Sequence, residues 1–190
     1  MKPITAPSMK LTYEDFLNFP DDGKRHEIID GEHYVTPSPS TKHQRVSMNV
    51  TLALGNHVKR HATGEVFAAP FDVVFSSFDV VEPDLLYISR ERREVLTNKH
   101  VRGSPDLVVE ILSPGTRKTD EVTKRKLYER FGVKEYWVVD PELDAIKVYR
   151  RDNGPFARSA ELTAEAGDVL TTPLLPDFSV SLSEIFATPS

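Results

Sequence analysis

The run PDLVVEIL at residues 105–112 consists almost entirely of apolar side chains, and it limits the folds that this chain can adopt. Strands that are apolar at successive positions lie inside a sheet, where other layers cover both faces. The run therefore predicts a central strand with structure packed on either side of it. Because 190 residues is about the length of one domain, we expect residues 1–190 to form a single domain around this strand.

The segments around this strand alternate between helical and extended patterns. Apolar residues recur at helical spacing over roughly 41–61, with Ser40 or Thr41 as the N-cap, and again over about 119–131. Strand-like runs occupy residues 71–75, 83–88 and 135–140. The order helix, three strands, helix, strand predicts an α/β fold with a mixed central sheet flanked by helices.

Further segments extend this core at both ends. A short helix is expected within 11–19, followed by a hairpin whose turn is Asp30-Gly31, a dipeptide suited to positive φ angles. After the core, the strand-like run DAIKVYR and weaker pieces lead to a closing SLSEIF. We therefore divide the domain into an N-terminal helix and hairpin (11–36), a core (about 40–140) and a C-terminal β extension (144–186).

One charged residue interrupts the central run. Glu110 is flanked by Val109 and Ile111, and an isolated carboxylate there is costly unless it is protonated, paired or bound to a metal. Asp84 precedes the apolar run LLYI, so two neighbouring strands could bring both carboxylates to one edge of the sheet. Asp106 shares the strand face of Glu110. Clustered carboxylates with open positions suit Mg²⁺ or Mn²⁺.

The second predicted helix turns a lysine toward this edge. Its residues at helical spacing form one stripe: Asp120, Lys124, Leu127, Tyr128 and Phe131. Lys124 therefore lies on the side that faces the sheet, whereas Lys126 points elsewhere. A lysine beside two carboxylates could hold an attacking water or stabilise the charge that develops on a phosphate.

Each of these residues also has a purely structural interpretation. Glu110 and Lys124 could form an ion pair. Asp84 and Asp106, which each follow a proline, could be turn residues at the starts of strands. His43, on the apolar stripe of the first long helix, is typical of a half-buried histidine. Glu27 in the run HEII could be an ordinary strand residue.

Composition and charge exclude several classes of protein. The net charge of −5 argues against a protein that coats nucleic acid by bulk positive charge. The positive charge is concentrated in one segment, since residues 90–130 hold 11 Lys and Arg against 7 Asp and Glu. A rim that contacts phosphates would require such a segment.

The absence of cysteine rules out disulfides and thiolate sites and indicates a reducing compartment. No segment has the ~18 apolar residues of a membrane span, so we expect a cytoplasmic protein with no membrane partner.

Three longer motifs carry a family resemblance: RHEIIDGEHYVTPSPSTKHQ, VEPDLLYI and GSPDLVVEILSPGTRKTDEVTKRKLYERFGVKEYWVVDP. In this order they resemble the Uma family of bacterial restriction endonucleases, from about residue 12 to the closing LTTPLLPDFSVSLSEIF. That family is similar to the PD-(D/E)XK nuclease superfamily, whose shared core is α-β-β-β-α-β. The resemblance therefore implies a restriction endonuclease-like core in the middle of the chain.

The resemblance also implies roles for individual residues. In the superfamily, an aspartate after proline and a glutamate on the next strand bind one or two Mg²⁺ ions. Asp84 would be the first metal ligand and Glu110 the second, with the main-chain carbonyl of Ile111 as a further one. The superfamily lysine stands two residues after the glutamate, where this chain has Leu112. The family draws its lysine from the following helix, and Lys124 is at the matching position.

Other residues of the family pattern are accessory. Lys126 is the fallback for the lysine, and Glu27 matches a glutamate before the hairpin turn that could complete the acidic cluster. His43 matches a recurrent histidine. Asp120 and Tyr128 belong to the same ordered motif as Lys124.

These residues lead to three hypotheses about function. The resemblance implies a Mg²⁺- or Mn²⁺-dependent endonuclease that hydrolyses DNA phosphodiester bonds with a metal-activated water, and superfamily precedent implies a homodimer. The missing lysine at position 112 and the acidic total leave open a catalytically silent nuclease-like domain that binds nucleic acid or a partner protein. A third hypothesis is a structural dimerisation protein, in which Glu110 and Lys124 form only an ion pair.

Overall fold

The computed structural model describes residues 9–188. Its helices are α1 (Tyr13–Phe16), α2 (Thr41–His61), α3 (Arg125–Arg130) and α4 (Leu182–Ile185). Its strands are β1 (Arg25–Ile29), β2 (Glu32–Thr36), β3 (Gly64–Ala68), β4 (Val73–Ser76), β5 (Asp79–Val81), β6 (Leu85–Ser89), β7 (Val101–Arg102), β8 (Leu107–Ile111), β9 (Glu135–Asp140), β10 (Ala145–Arg150), β11 (Ala157–Thr163), β12 (Val169–Thr171) and β13 (Ser179–Ser181). A 3₁₀ helix spans Arg90–Val95, and a π-helical segment spans Thr119–Lys124.

Six strands form the central sheet, in the spatial order β11-β10-β9-β8-β6-β3. β8 and β9 are parallel, and the other neighbours in this sheet are antiparallel. β8 is the strand of the run PDLVVEIL, and all of its residues are buried. The doubly covered central strand that the sequence predicts is therefore confirmed.

Two apolar cores cover the faces of the central sheet. Because side chains alternate along a strand, Val109 of β8 faces one core and Val108 the other. The first core contains the buried stripe of α2 and the C-terminal segment. The second contains α3 and strands of a separate five-stranded sheet. The predicted α/β class, with a mixed sheet flanked by helices, is confirmed.

The second sheet has the order β2-β1-β5-β4-β7 and includes the predicted N-terminal hairpin. β1 and β2 pair antiparallel around Asp30 and Gly31, whose φ angles of 52° and 77° are left-handed. The predicted N-terminal helix is α1, and Thr12 and Asp15 form a capping box at its N-terminus. The hairpin thus places β1 beside β5, close to the start of β6.

The first strand of the core is where the sequence prediction is wrong. α2 is followed by β3, which pairs with β6 in the central sheet. The predicted strand at 71–75 overlaps β4 instead, and β4 pairs with β5 and β7 in the second sheet. β3 lies at the sheet edge and is only partly buried, so its sequence has no strong apolar pattern. The order α-β-β-β-α-β holds with β3, β6 and β8 as its three strands.

The second predicted helix begins as the π-helical segment and continues as α3. Asp120 and Lys124 of the π-helical segment are buried, as is Tyr128 of α3, so the predicted stripe faces the sheet. Lys126 lies on the exposed side. Single π-helical turns within helices often occur at functional sites.

The C-terminal part of the chain adds strands to the core. β9 and β10 pair antiparallel as predicted, and β11 continues the central sheet beside β10. β12 pairs with β13, and Ser181 caps the short helix α4. Within residues 9–188, no helix combines the length and the apolarity that crossing a bilayer requires.

Candidate active site

Asp84 and Glu110 lie side by side at the ends of two neighbouring strands. In the antiparallel pairing of β6 with β8, Leu85 is opposite Val109, so the next residues outward are Asp84 and Glu110. The main-chain N–H of Ile111 donates to Oδ2 of Asp84 over 2.8 Å. The two carboxylate residues are only 5% and 2% exposed. The fold thus brings together the pair of carboxylates that the sequence pattern suggests.

Lys124 lies at the centre of an acidic cluster. Its Nζ is 2.8 Å from Oε1 of Glu27, 3.0 Å from Oε1 of Glu110 and 3.7 Å from Oδ1 of Asp120. Tyr128, one turn further along, donates its hydroxyl to Oε1 of Glu110 over 2.5 Å. All five side chains are buried. They come from β1, β8 and the helical segment after β8, which are distant in sequence.

A second set of contacts surrounds Asp84. Arg25 of β1 donates from a terminal guanidinium nitrogen to Oδ1 of Asp84 over 2.8 Å. His43, in the first turn of α2, brings Nε2 to 3.2 Å from Oδ2, and its Nδ1 is buried without a hydrogen-bond partner in the described chain. Although burial acts to raise the pKa of Asp84, His43 and Arg25 hold it below its usual value.

Sequence reasoning missed Arg25. The available signal is alternation along β1, which puts Arg25 and Glu27 on the same face of the strand. That signal does not reveal which part of the core β1 will meet. The partner of Arg25 depends on the placement of the hairpin against the start of β6.

The acidic cluster has shifted pKa values. Burial, reinforced by Asp120, Asp84 and Glu27, raises the pKa of Glu110 to about 8, although Lys124 acts in the opposite direction. Burial likewise raises the pKa of Asp120 to about 6. Burial acts to lower the pKa of Lys124, but Glu110, Glu27 and Asp120 raise it above its ordinary value. Lys124 is therefore a fixed positive charge among acids.

A cavity of about 190 Å³ opens onto these groups. Asp84, Glu110, Ile111 and Lys124 line its inner wall, and loop residues 36–40 and 113–116 form further parts of the wall. Lys126 is exposed and does not line the cavity. Of the two lysines considered from sequence, Lys124 alone lies with the carboxylates.

Comparison with known proteins assigns the family. The Uma2 family model, described as "Putative restriction endonuclease", matches residues 13–183. The chain belongs to this family. An uncharacterised protein of Synechocystis sp. is 25% identical over 154 residues, which make up 78% of each chain. The crystal structure of a "putative nuclease belonging to DUF820" from Anabaena variabilis is 22% identical, covers 93% of this chain and 97% of its own, and superposes with a TM-score of 0.78.

The Uma2 family membership confirms the resemblance inferred from the motifs, and the solved structure confirms the nuclease-like fold. Leu112, which stands where the sequence resemblance would place the superfamily lysine, is buried in the second core. Lys124 supplies a positive charge at Glu110 from the next helical segment instead.

The donor atoms of this site are of the type that Mg²⁺ and Mn²⁺ prefer. Asp84 and Glu110 present carboxylates to one cavity, and the hydrogen bonds from Lys124 and Tyr128 both end on Oε1 of Glu110. Among residues 9–188, no three His, Asp or Glu side chains are arranged as a complete metal site. Three carboxylates surround the single ammonium group of Lys124, so the cluster has more acidic than basic groups. A divalent cation fits this cluster, because added positive charge would favour the ionised form of Glu110.

The basic segment 90–130 forms less of a phosphate-contacting rim than its charge predicts. Four of its arginines have carboxylate partners: Arg92 with Asp106, Arg93 with Glu65, Arg117 with Asp140 and Glu142, and Arg130 with Asp79. Arg125 stacks over the ring of Tyr149 at 5.4 Å. Within residues 9–188, the basic side chains of this segment that form no salt bridge are Arg90, Lys99, Arg102, Lys118, Arg125 and Lys126. Sequence counts cannot show this internal pairing.

Asp106 shares the strand face of Glu110 but lies before the opposite end of β8. Its carboxylate accepts a hydrogen bond from the main-chain N–H of Ser89 over 2.8 Å and pairs with Lys134 at 2.6 Å. Asp106 does not line the cavity. Its contacts fit the structural interpretation, in which it fixes the start of a strand.

Replacing Asp106 with asparagine is expected to lower the free energy of unfolding at neutral pH by about 1.5–3 kcal/mol, because hydrogen bonds to a buried charge are lost. Burial acts to raise the pKa of Asp106, but Lys134 and the Ser89 N–H lower it below its usual value. Such a group stabilises the fold above its unfolded pKa and loses this effect as the pH falls through its folded pKa. Urea unfolding should therefore show a difference between wild type and Asp106→Asn that shrinks below about pH 4; a constant difference would contradict this.

Proposed function

We propose that this protein is a Mg²⁺- or Mn²⁺-dependent endonuclease that hydrolyses phosphodiester bonds of DNA. The observation that carries the proposal is the convergence of Asp84, Glu110 and Lys124 on one cavity at the strand ends. Membership of the family described as "Putative restriction endonuclease" supports nuclease activity. Because a fold does not fix its chemistry, the proposal depends on these three side chains.

In the proposed reaction, Asp84 and Glu110 would hold the cation, with the main-chain carbonyl of Ile111 as a further ligand. When bound, a divalent cation supplies Lewis-acid stabilisation of the charge that develops on the scissile phosphate. Lys124 donates hydrogen bonds to the attacking water or to the phosphate, and its raised pKa keeps it protonated. Glu27 fixes the position of Lys124 through their 2.8 Å contact.

Accessory residues keep the proposed ligands in place. Arg25 and His43 contact the two oxygens of Asp84 and so fix the plane of its carboxylate. Tyr128 donates a hydrogen bond to Oε1 of Glu110, and Oδ1 of Asp120 lies 3.7 Å from Nζ of Lys124. Groups that position ligands in this way act through them rather than on the substrate.

The proposed substrate is DNA, bound over a small area. Arg25 and Lys124 are the cations that line the cavity, so few phosphates are neutralised and the affinity should fall with salt. We further propose that the protein acts as a homodimer, because two copies of one active site are the simple way to cut both strands.

Incubation with supercoiled plasmid tests the proposed function. Wild-type protein should nick the plasmid in the presence of Mg²⁺ or Mn²⁺ and leave it intact when EDTA removes the cation, because the reaction requires the Lewis acid. Agarose gels separate the supercoiled, nicked and linear forms. Asp84→Ala, purified in the same way, controls for contaminating nucleases, and equal nicking by this variant would contradict the proposal.

A catalytically silent nuclease-like domain that binds nucleic acid or a partner protein is the second candidate. It is favoured by the contacts of Asp84, whose oxygens already accept hydrogen bonds from Arg25 and from the Ile111 N–H. A cation must compete with these donors. Calorimetry that detects Mn²⁺ binding, together with no turnover of plasmid, single-stranded DNA or RNA, would support this candidate over the nuclease.

A further inference from the structure

A second cavity adjoins the candidate active site. Its volume is about 420 Å³, and it shares Arg25, Pro39, His43 and Asp84 with the first cavity. The two cavities therefore adjoin, and the residues around Asp84 form part of the wall of both. A volume of this size is within the range of sites that take small organic ligands.

Unengaged hydrogen-bonding groups line this second cavity. Gln44 and Ser47 come from the first two turns of α2, and Glu82 comes from the link between β5 and β6. Glu82 uses its main-chain N–H to bond Glu27 and its carbonyl to bond Arg25. Within residues 9–188, the side chains of Gln44, Ser47 and Glu82 take part in no hydrogen bond or salt bridge. They are therefore available to a ligand.

The rest of the lining is suited to a flat, partly apolar group. Pro39 and Pro70 line the cavity together with Ala69, and they provide apolar surface beside the polar side chains. Purine and pyrimidine bases have apolar faces and a polar edge. The cavity thus offers one type of surface to each part of a base.

We propose that this second cavity binds the nucleobase next to the scissile phosphate, and that Gln44 and Glu82 favour cytosine or adenine over thymine. The proposal rests on the proposed nuclease function and names part of its substrate. A side-chain oxygen of Glu82 accepts a hydrogen bond from the exocyclic amino group of cytosine or adenine, and the amide of Gln44 can donate and accept at once. Thymine presents a carbonyl oxygen at that position, which a carboxylate does not bind.

The relative position of the cavities fits one nucleotide and its phosphate. A phosphate beside Asp84, Glu110 and Lys124 would lie in the first cavity, and because the two cavities share four lining residues, the base of the same nucleotide would enter the second. Arg25 lines both cavities, and the exposed fifth of its side chain can contact the phosphate between them. The shared wall of the two cavities could therefore contact both the phosphate and the base.

Nuclear magnetic resonance of the full chain, without metal, tests this inference with deoxynucleosides. Gln44 is the only glutamine of the sequence, so the loss of one side-chain amide signal in Gln44→Ala assigns it. Deoxycytidine and deoxyadenosine should shift this signal and bind about tenfold more tightly than thymidine. Glu82→Gln should remove most of that preference. Asn98→Ala, at an exposed amide outside this cavity, should leave it unchanged.

The outcome separates this inference from the nuclease proposal, because deoxynucleosides carry no phosphate. A shift of the Gln44 amide with no preference between the three deoxynucleosides, or no shift with any of them, would overturn the base-binding cavity. That result would stand even if the plasmid is nicked. Selective binding without nicking would uphold the cavity as a base site while the nuclease proposal fails.

Discussion

Replacing Glu110 with glutamine is expected to lower the rate of plasmid nicking by at least about 10³-fold, because a Lewis acid contributes several kcal/mol to catalysis and this carboxylate is its proposed ligand. The fold should persist. Glutamine has the shape of glutamate, and because burial acts against the charged form of Glu110, a neutral side chain of the same shape should be tolerated at this position. The amide oxygen can still accept the hydrogen bonds from Lys124 and Tyr128.

The matched control for this variant is Glu91→Gln. Glu91 is exposed on the 3₁₀ helix and lies outside both cavities, so its loss should change nicking by less than about twofold. Circular dichroism and urea unfolding would verify that both variants fold. If Glu110→Gln nicks plasmid at the wild-type rate, Glu110 does not hold the cation.

Replacing Lys124 with alanine is expected to lower the free energy of unfolding by about 3–5 kcal/mol, because it leaves buried carboxylates without the ammonium group that pairs with them. Its Nζ lies between Glu27 at 2.8 Å and Glu110 at 3.0 Å, and the lysine is only 4% exposed. Equilibrium urea unfolding measures the loss. Lys126→Ala, two residues away on the exposed side, should change stability by no more than about 0.5 kcal/mol.

A double substitution separates the ion pair from loss of packing. Lys124→Met keeps the apolar stem of the side chain, and adding Glu110→Gln removes one of the carboxylates left behind. The double variant should therefore be more stable than the sum of the two single effects predicts, by about 0.5–3 kcal/mol. A loss below about 1 kcal/mol for Lys124→Ala, or strict additivity, would contradict a buried ion-pair network around Lys124.

The central strand and the lysine stripe could be predicted because each depends on local periodicity. The apolar run at 105–112 predicts a covered strand, and the charge of Glu110 within it marks the candidate site. Helical spacing alone turns Lys124 inward, which the burial of this residue bears out. Such patterns need no knowledge of distant contacts.

Other parts of the fold and the site could not be predicted because they depend on pairing between distant segments. β3 is an edge strand with partly buried residues, so its sequence resembles a loop, whereas the more apolar segment 71–75 belongs to the second sheet. The contact of Arg25 with Asp84 joins residues 59 positions apart. The sequence predicts that the side chains of the basic segment 90–130 contact phosphates. In the structure, arginines such as Arg117 form salt bridges with acids from elsewhere in the chain.

A crystal soaked in Mn²⁺ is the most direct test of the Asp84 and Glu110 site. Anomalous density is expected between these two carboxylates, within reach of Nζ of Lys124, and it should be lost in Glu110→Gln crystals. Density at surface carboxylates with none between Asp84 and Glu110 would contradict a metal-dependent centre at the ends of β6 and β8.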